Sequence, residues 1–125
     1  MEKNNKQFSD ELRKRIYKFV LNLISFIDSF PKNDSLCQIV TKQLLRSGTS
    51  IGANYVEAIA GSSRKDFTNF LTHSLKSANE SKFWLALLRD TKKINKNTVD
   101  VLLKELEELS KILASSIKTL KNKNG

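Results

Sequence analysis

Four apolar stripes at helical spacing dominate what this chain can fold into. The first is Leu12, Ile16, Phe19, Leu23, Ile27 and Phe30, recurring every three or four residues. One face of an α-helix repeats at that interval, so the stripe predicts a helix over about residues 9–30. Pro31 and the polar turn "PKND" end it. Leu36, Val40, Leu44, Ile51, Tyr55 and Ala58 predict a second helix over about 35–60. Ser35 with Gln38 fits a capping box at its start, and Gly61 suits its exit. Phe67, Phe70, Leu71, Leu75, Ala78, Trp84, Leu85 and Leu88 predict a third over about 63–90, opened by the box-like pair Ser63 and Asp66. Val99, Leu102, Leu106, Leu109, Leu113, Ile117 and Leu120 predict a fourth over about 97–121, followed by a frayed tail "KNKNG". Its first turn carries Asp100, where a negative charge suits the helix dipole.

Helices of this length span roughly 33–40 Å and are joined by short connections. Short connections place sequential helices antiparallel. The expected fold is therefore all-α, an antiparallel up-down-up-down four-helix bundle forming a single domain over residues 1–125. A chain of 125 residues holds one hydrophobic core and not two.

The composition narrows the chemistry. Cys37 is the only cysteine, which excludes an internal disulfide and a cysteine metal cluster. A di-iron bundle needs Glu-x-x-His pairs, but His73 is the only histidine and position 70 is Phe. There is no Gly-rich phosphate loop. Cys37 reads as a small buried hydrophobe. No catalytic residue, metal or cofactor is assigned, and the expectation is a protein that is not an enzyme. The N-terminus lacks the apolar run of a signal peptide, and no apolar stretch reaches the roughly 20 residues of a membrane span. A cytoplasmic location without membrane contact is expected.

The second helix contains "RSGTSIGANYVEA", residues 46–58, an odd composition for a helix interior. Ser47, Ser50, Asn54 and Glu57 form one polar seam beside the apolar stripe. Gly48 and Gly52 lie four apart, and each costs a helix about 1 kcal/mol relative to alanine. Something must approach that backbone closely. The third helix offers Ser74, Ser77, Ala78 and Ser81, small residues at helical spacing. It also carries a second seam of His73, Ser77, Glu80 and Trp84. Asn54 and Glu57 are expected to hydrogen-bond the third helix or a neighbouring subunit, the alternative being that Glu57 and Glu80 face solvent. Ile39, Leu45, Tyr55 and Ile59, with Phe83, Trp84 and Leu87, fall partly outside the core stripes. Apolar surface beyond the core face predicts a homo-oligomer.

"QLLRSGTSIGANYVEA" followed by "KDFTNFLTHSLKSANESKFWLALL" resembles a bacterial four-helix-bundle family. Its members include proteins encoded in intervening sequences of large-subunit ribosomal RNA genes and accessory variability proteins of diversity-generating retroelements. The matching positions are Arg46, Ser47, Ser50, Ile51, Asn54 and Glu57, then Phe67, Phe70, Leu71, Ser77, Glu80 and Leu85. Members often carry glycine after the glutamate, where this chain has Ala58. The resemblance spans about residues 10–118 and implies a ring-like homopentamer. For the retroelement branch it implies binding to nucleic acid and to a reverse transcriptase.

The charge agrees with a polyanion partner: the formal net charge is +9. Candidate nucleic-acid-binding residues are Arg13, Lys14, Arg15, Lys18, Lys42, Arg46, Arg64 and Lys65. One end of the bundle gathers Lys3, Lys6, Lys118, Lys121 and Lys123 near Arg64 and Lys65, and the other gathers Lys32, Arg89, Lys92, Lys93 and Lys96. No base-reading motif is present, so contact with RNA or DNA would be of low sequence specificity. The expected function is a basic, oligomeric nucleic-acid-binding accessory protein. The alternative is a protein-interaction scaffold whose basic surface meets an acidic partner.

Overall fold

In a computed structural model, which describes residues 5–124 with side chains through residue 122, the chain forms four α-helices. They are α1 (Asn5–Asp28), α2 (Ser35–Ala60), α3 (Arg64–Asp90) and α4 (Lys96–Asn124). Each helix packs on its neighbour in sequence, and α1 closes the bundle against α4. The contacts run antiparallel. Ser9 near the start of α1 meets Tyr55 near the end of α2, and Ser47 and Ser74 of the α2–α3 pair meet Ser81 and Ile51. This is the expected up-down bundle. No described helix is long and apolar enough to cross a membrane.

The predicted stripes form the core. Leu12, Ile16, Phe19 and Leu23 of α1, Val40, Leu44 and Ile51 of α2, Leu71 and Leu85 of α3, and Leu106, Leu109 and Leu113 of α4 are all buried. Burying a large aliphatic or aromatic side chain contributes roughly 1.5–3 kcal/mol, so these stripes supply the driving force for assembly.

The helix ends differ from the sequence reading in instructive ways. α1 begins four residues earlier, at Asn5, and stops at Asp28 rather than Phe30. Phe30 precedes Pro31, and a residue before proline is driven out of the α region. Phe30 is still buried, edge-on to Phe26 at 4.8 Å. The cap of α2 is Asp34, not Ser35: its carboxylate accepts from the Cys37 backbone N–H at 3.0 Å. Gln38 turns its amide to the Lys32 carbonyl at 2.7 Å instead of closing a box. Ser63 caps α3 as expected, accepting from the Asp66 N–H at 3.1 Å. Asn95 Oδ1 accepts from the Asn97 and Thr98 N–H groups at 2.9 and 3.4 Å, which starts α4 at Lys96. The tail expected to fray stays helical to Asn124, with Lys118 and Lys121 complementing the dipole of the last turns.

The odd composition of α2 resolves into two separate packing solutions. Serines, not glycines, set the closeness of α2 and α3. Ser81 Oγ donates to the Ser77 carbonyl at 2.9 Å and accepts from Ser47 Oγ at 2.8 Å, both serines being buried. Ser74 Oγ donates to the Ile51 carbonyl at 2.8 Å, and Ala78 fills the space between. The glycines face α1 instead. A Cβ on Gly48 would overlap the Leu23 side chain, and one on Gly52 would lie 3.6 Å from Ile16 Cγ2.

Candidate nucleic-acid interface

The basic residues singled out from the sequence divide into neutralised and unneutralised groups. Arg15 points away from α2, and its guanidinium forks onto Glu105 of α4 at 2.8 and 2.7 Å. The bond to Glu105 raises the Arg15 pKa further. Arg46 reaches Gln43 on its own helix at 2.9 Å and closes an ion pair with Glu80 of α3. Glu80 also accepts from Trp84 Nε1 at 3.0 Å, and the Trp84 and Arg46 bonds together hold its carboxyl below the usual range. The seam of Glu80 and Trp84 is thus a partly exposed bridge between α3 and Arg46.

Asn54 and Glu57 do not meet α3. The Asn54 amide turns back on its own helix, donating to the Ser50 carbonyl and to Ser50 Oγ, each at 2.9 Å. A short polar side chain finds the carbonyl one turn earlier within reach, and that bond pre-empts the neighbour. Glu57 is exposed to solvent. Ser77 spends its carbonyl on Ser81.

The far end of the bundle is largely compensated. Lys93 pairs with Asp34 at 2.9 Å, Lys96 with Asp100 at 3.1 Å, and Arg89 with Asp90 at 2.9 Å. Asp34 is held down to about 2 by the Lys93 ammonium first and the Cys37 backbone N–H second. Lys3 lies outside the described residues, as does the side chain of Lys123. Lys6, Lys65, Lys118 and Lys121 at the opposite end are exposed, and Arg64 opens α3 beside them.

Arg13, Lys14 and Lys18 remain. They are exposed on α1, enter no ion pair among the described residues, and line the mouth of a groove between α1 and α2. The groove holds about 650 Å³. The buried Ile16 and Tyr55 and half-buried Gly52 lie deepest in its lining, beside the small, exposed Thr49 and Ala53, and Tyr17, Leu21 and Val56 are its exposed walls. Those wall residues are 66%, 50% and 52% exposed. A second hollow continues along the same seam past Leu45 and Lys42 to Lys32. The sequence reading missed Tyr17, Leu21 and Val56. Their signal was their position outside the core stripes, the same signal that flagged Ile39, Leu45, Ile59 and Phe83, all of which are exposed. Trp84 and Leu87, flagged with them, are half-buried, and Tyr55 departs furthest. It is buried, and its hydroxyl donates to the Ser9 carbonyl at 3.1 Å. Burial raises its pKa.

Cys37 is buried at the start of α2, and burial together with the Asp34 carboxylate pushes its thiol pKa up. His73 is exposed beside Phe70, ring centroids 6.4 Å apart.

An antiparallel bundle whose α1 face exposes cations that enter no ion pair among the described residues defines a class: an all-α four-helix-bundle protein. Residues 9–115 match the family model described as 23S rRNA-intervening sequence protein, and the chain belongs to that family. It is also similar to a crystal structure of a protein of unknown function from the S23 ribosomal protein family of Bacteroides thetaiotaomicron VPI-5482. The two share 36% identity and a TM-score of 0.80 over 88% of this chain and 97% of the other. Comparison with curated proteins gave no match.

Proposed function

We propose that this chain is a non-enzymatic, cytoplasmic accessory protein that binds nucleic acid through its basic surface and works as a homo-oligomer. The observation that carries the reading is the division of its cations. Arg15 and Arg46 are spent on carboxylates, whereas Arg13, Lys14, Lys18 and Lys42 are exposed along α1 and α2 and enter no ion pair among the described residues. Cations left without partners on one face meet phosphates in a salt-dependent, sequence-independent way. Membership in the rRNA-intervening sequence family supports an RNA-related setting. The exposed Ile39, Phe83 and Val101 support assembly, and a ring of five follows the resemblance. A reverse-transcriptase partner belongs to the retroelement branch of that resemblance and rests on it alone. The raised thiol pKa of Cys37 supports a structural role, since a protonated buried thiol is a poor nucleophile.

The test is binding of RNA and DNA across a salt series, with mass measured on the same sample. Affinity that falls steeply between about 50 and 200 mM salt, from a species heavier than one chain, is the expected result. Absence of binding at the lowest salt would shift the reading to a scaffold for an acidic protein.

A further inference from the structure

The phosphate-binding reading accounts for the cations on α1 but not for what lies between them. Phosphate contact needs no aromatic ring and no apolar floor. Yet Tyr17, three residues after Lys14 and one before Lys18, is 66% exposed and lines the same groove as both lysines, with Gly52 and Ala53 across it on α2. Exposing a tyrosine, a leucine and a valine around one cavity in a soluble surface marks a binding site.

The spacing on α1 is informative. Lys14 and Lys18 are one helical turn apart, about 6 Å along the axis, which is the order of one nucleotide step on an extended strand. Tyr17 lies one residue before Lys18 and projects into the same groove. Cation, aromatic, cation is the sequence of contacts that a phosphate, a base and the next phosphate require. Arg13 adds a third charge at the mouth, and no carboxylate lines the cavity among the described residues. Thr49, Gly52 and Ala53 are small residues in its lining on α2, which leaves room for a flat ring beside Tyr17. The seam continues along α1 and α2 into a second hollow whose lining carries Lys42 and Lys32 together with one carboxylate, Asp28.

We propose that the α1–α2 groove is a binding site for single-stranded nucleic acid, with an unpaired base stacked on Tyr17 and the flanking phosphates held by Lys14 and Lys18. The inference rests on the polyanion-binding reading and sharpens it. A duplex keeps both faces of every base stacked inside the helix and offers only its backbone and groove edges. It would use the cations and leave the groove empty. A single strand uses both.

The experiment measures anisotropy of two labelled probes of one sequence, a single-stranded RNA of about 15 nucleotides and the matching duplex, on the full chain. Variants are Tyr17→Ala, Tyr17→Phe and the double change Lys14→Ala with Lys18→Ala. Tyr17 is exposed, so its truncation leaves the core intact, which circular dichroism melts verify. The wild type is expected to hold the single strand roughly tenfold tighter than the duplex. Tyr17→Ala should weaken the single strand by roughly 5- to 100-fold and barely touch the duplex, while Tyr17→Phe retains the preference. The double lysine change should weaken both probes. Equal affinity for the two probes, or a Tyr17→Ala chain that holds the single strand unchanged, overturns the inference while the broader reading stands. The apolar groove would then fit a protein surface. Failure of both probes to bind at low salt overturns the broader reading as well.

Discussion

Gly48 and Gly52 sit one turn apart on α2, yet a methyl group has opposite consequences at the two. At either position alanine improves helix propensity by about 1 kcal/mol. At Gly48 the new Cβ overlaps the Cδ2 end of the fully buried Leu23, which must repack within the core to make room. Overpacking of this kind costs about 1–3 kcal/mol and outweighs the propensity gain. At Gly52 the nearest atoms lie at ordinary contact, 3.6 and 4.0 Å. Gly48→Ala is expected to lower the melting temperature and Gly52→Ala to raise it by a few degrees. Thermal unfolding of the two single variants checks this, and equal shifts would show that α1 is not what demands glycine. The pair also shows how far the sequence was legible here. Two mid-helix glycines correctly announced a close approach. Their partner was misassigned to α3, because a helical projection places a residue on a face without telling which neighbour that face meets. The serines of α3 were expected to answer the glycines, but Ser81 answers Ser47 and Ser74 the Ile51 carbonyl instead. At Lys92 the backbone carries information no pattern revealed: its φ of 59° is left-handed, directly after the end of α3. Lys92→Gly is expected to stabilise the chain by roughly 0.5–1 kcal/mol, read as a higher melting temperature.

Among the elements, the α1–α2 turn and the α3–α4 turn are tied by one carboxylate. Asp34 caps α2 through the Cys37 N–H and pairs with Lys93 from the loop after α3. Its folded pKa lies at about 2, below the ordinary value of 3.8. A depressed carboxylate contributes stability that is complete above the unfolded pKa and is lost as pH falls through the folded one. The contribution is therefore present above about pH 4 and fades toward about pH 2. Asp34→Asn preserves the cap, since asparagine serves as well at that position, but removes the negative charge that faces Lys93. The melting temperatures of wild type and Asp34→Asn are expected to differ at neutral pH and to converge by about pH 2. A gap that persists in acid would place the effect in the cap and not in the pair. Element existence was legible from the stripes because burial enforces their period. Element ends were less so. Ser35 and Asp34 are both good caps, and only the tertiary partner Lys93 favours the aspartate in this fold.

At the scale of the whole molecule, a surplus of nine positive charges has to be reconciled with assembly. Like charges repel, so a homo-oligomer of such chains needs apolar contact to form and gains from a polyanion that neutralises it. Ile39, Phe83 and Val101 provide exposed apolar surface away from the α1–α2 groove, and the groove is edged by cations that a like-charged copy would avoid. Light scattering is expected to give a multiple of the 14.2 kDa chain mass at micromolar concentration, and a monomer there would contradict the assembly. The sequence carried the charge and the spare apolar residues but not the partial separation between them, with Ile39, Phe83 and Val101 apart from the α1 cations and Tyr17, Leu21 and Val56 among them, which depends on where α1 docks. Salt dependence reads that separation directly. Each phosphate contact adds about 0.7 to the slope of log affinity against log salt for a single strand and about 0.9 for a duplex. Removing Lys14 and Lys18 should lower the single-strand slope by roughly 1.4 if one protomer's groove carries the contact. If several protomers of a ring hold the same strand, each loses two contacts and the drop becomes a multiple of that figure. The change in slope thus counts the grooves occupied per strand. No change in slope would remove the α1 face from the interface and leave the end of the bundle, with Lys6, Lys65 and Lys118, to meet the phosphates.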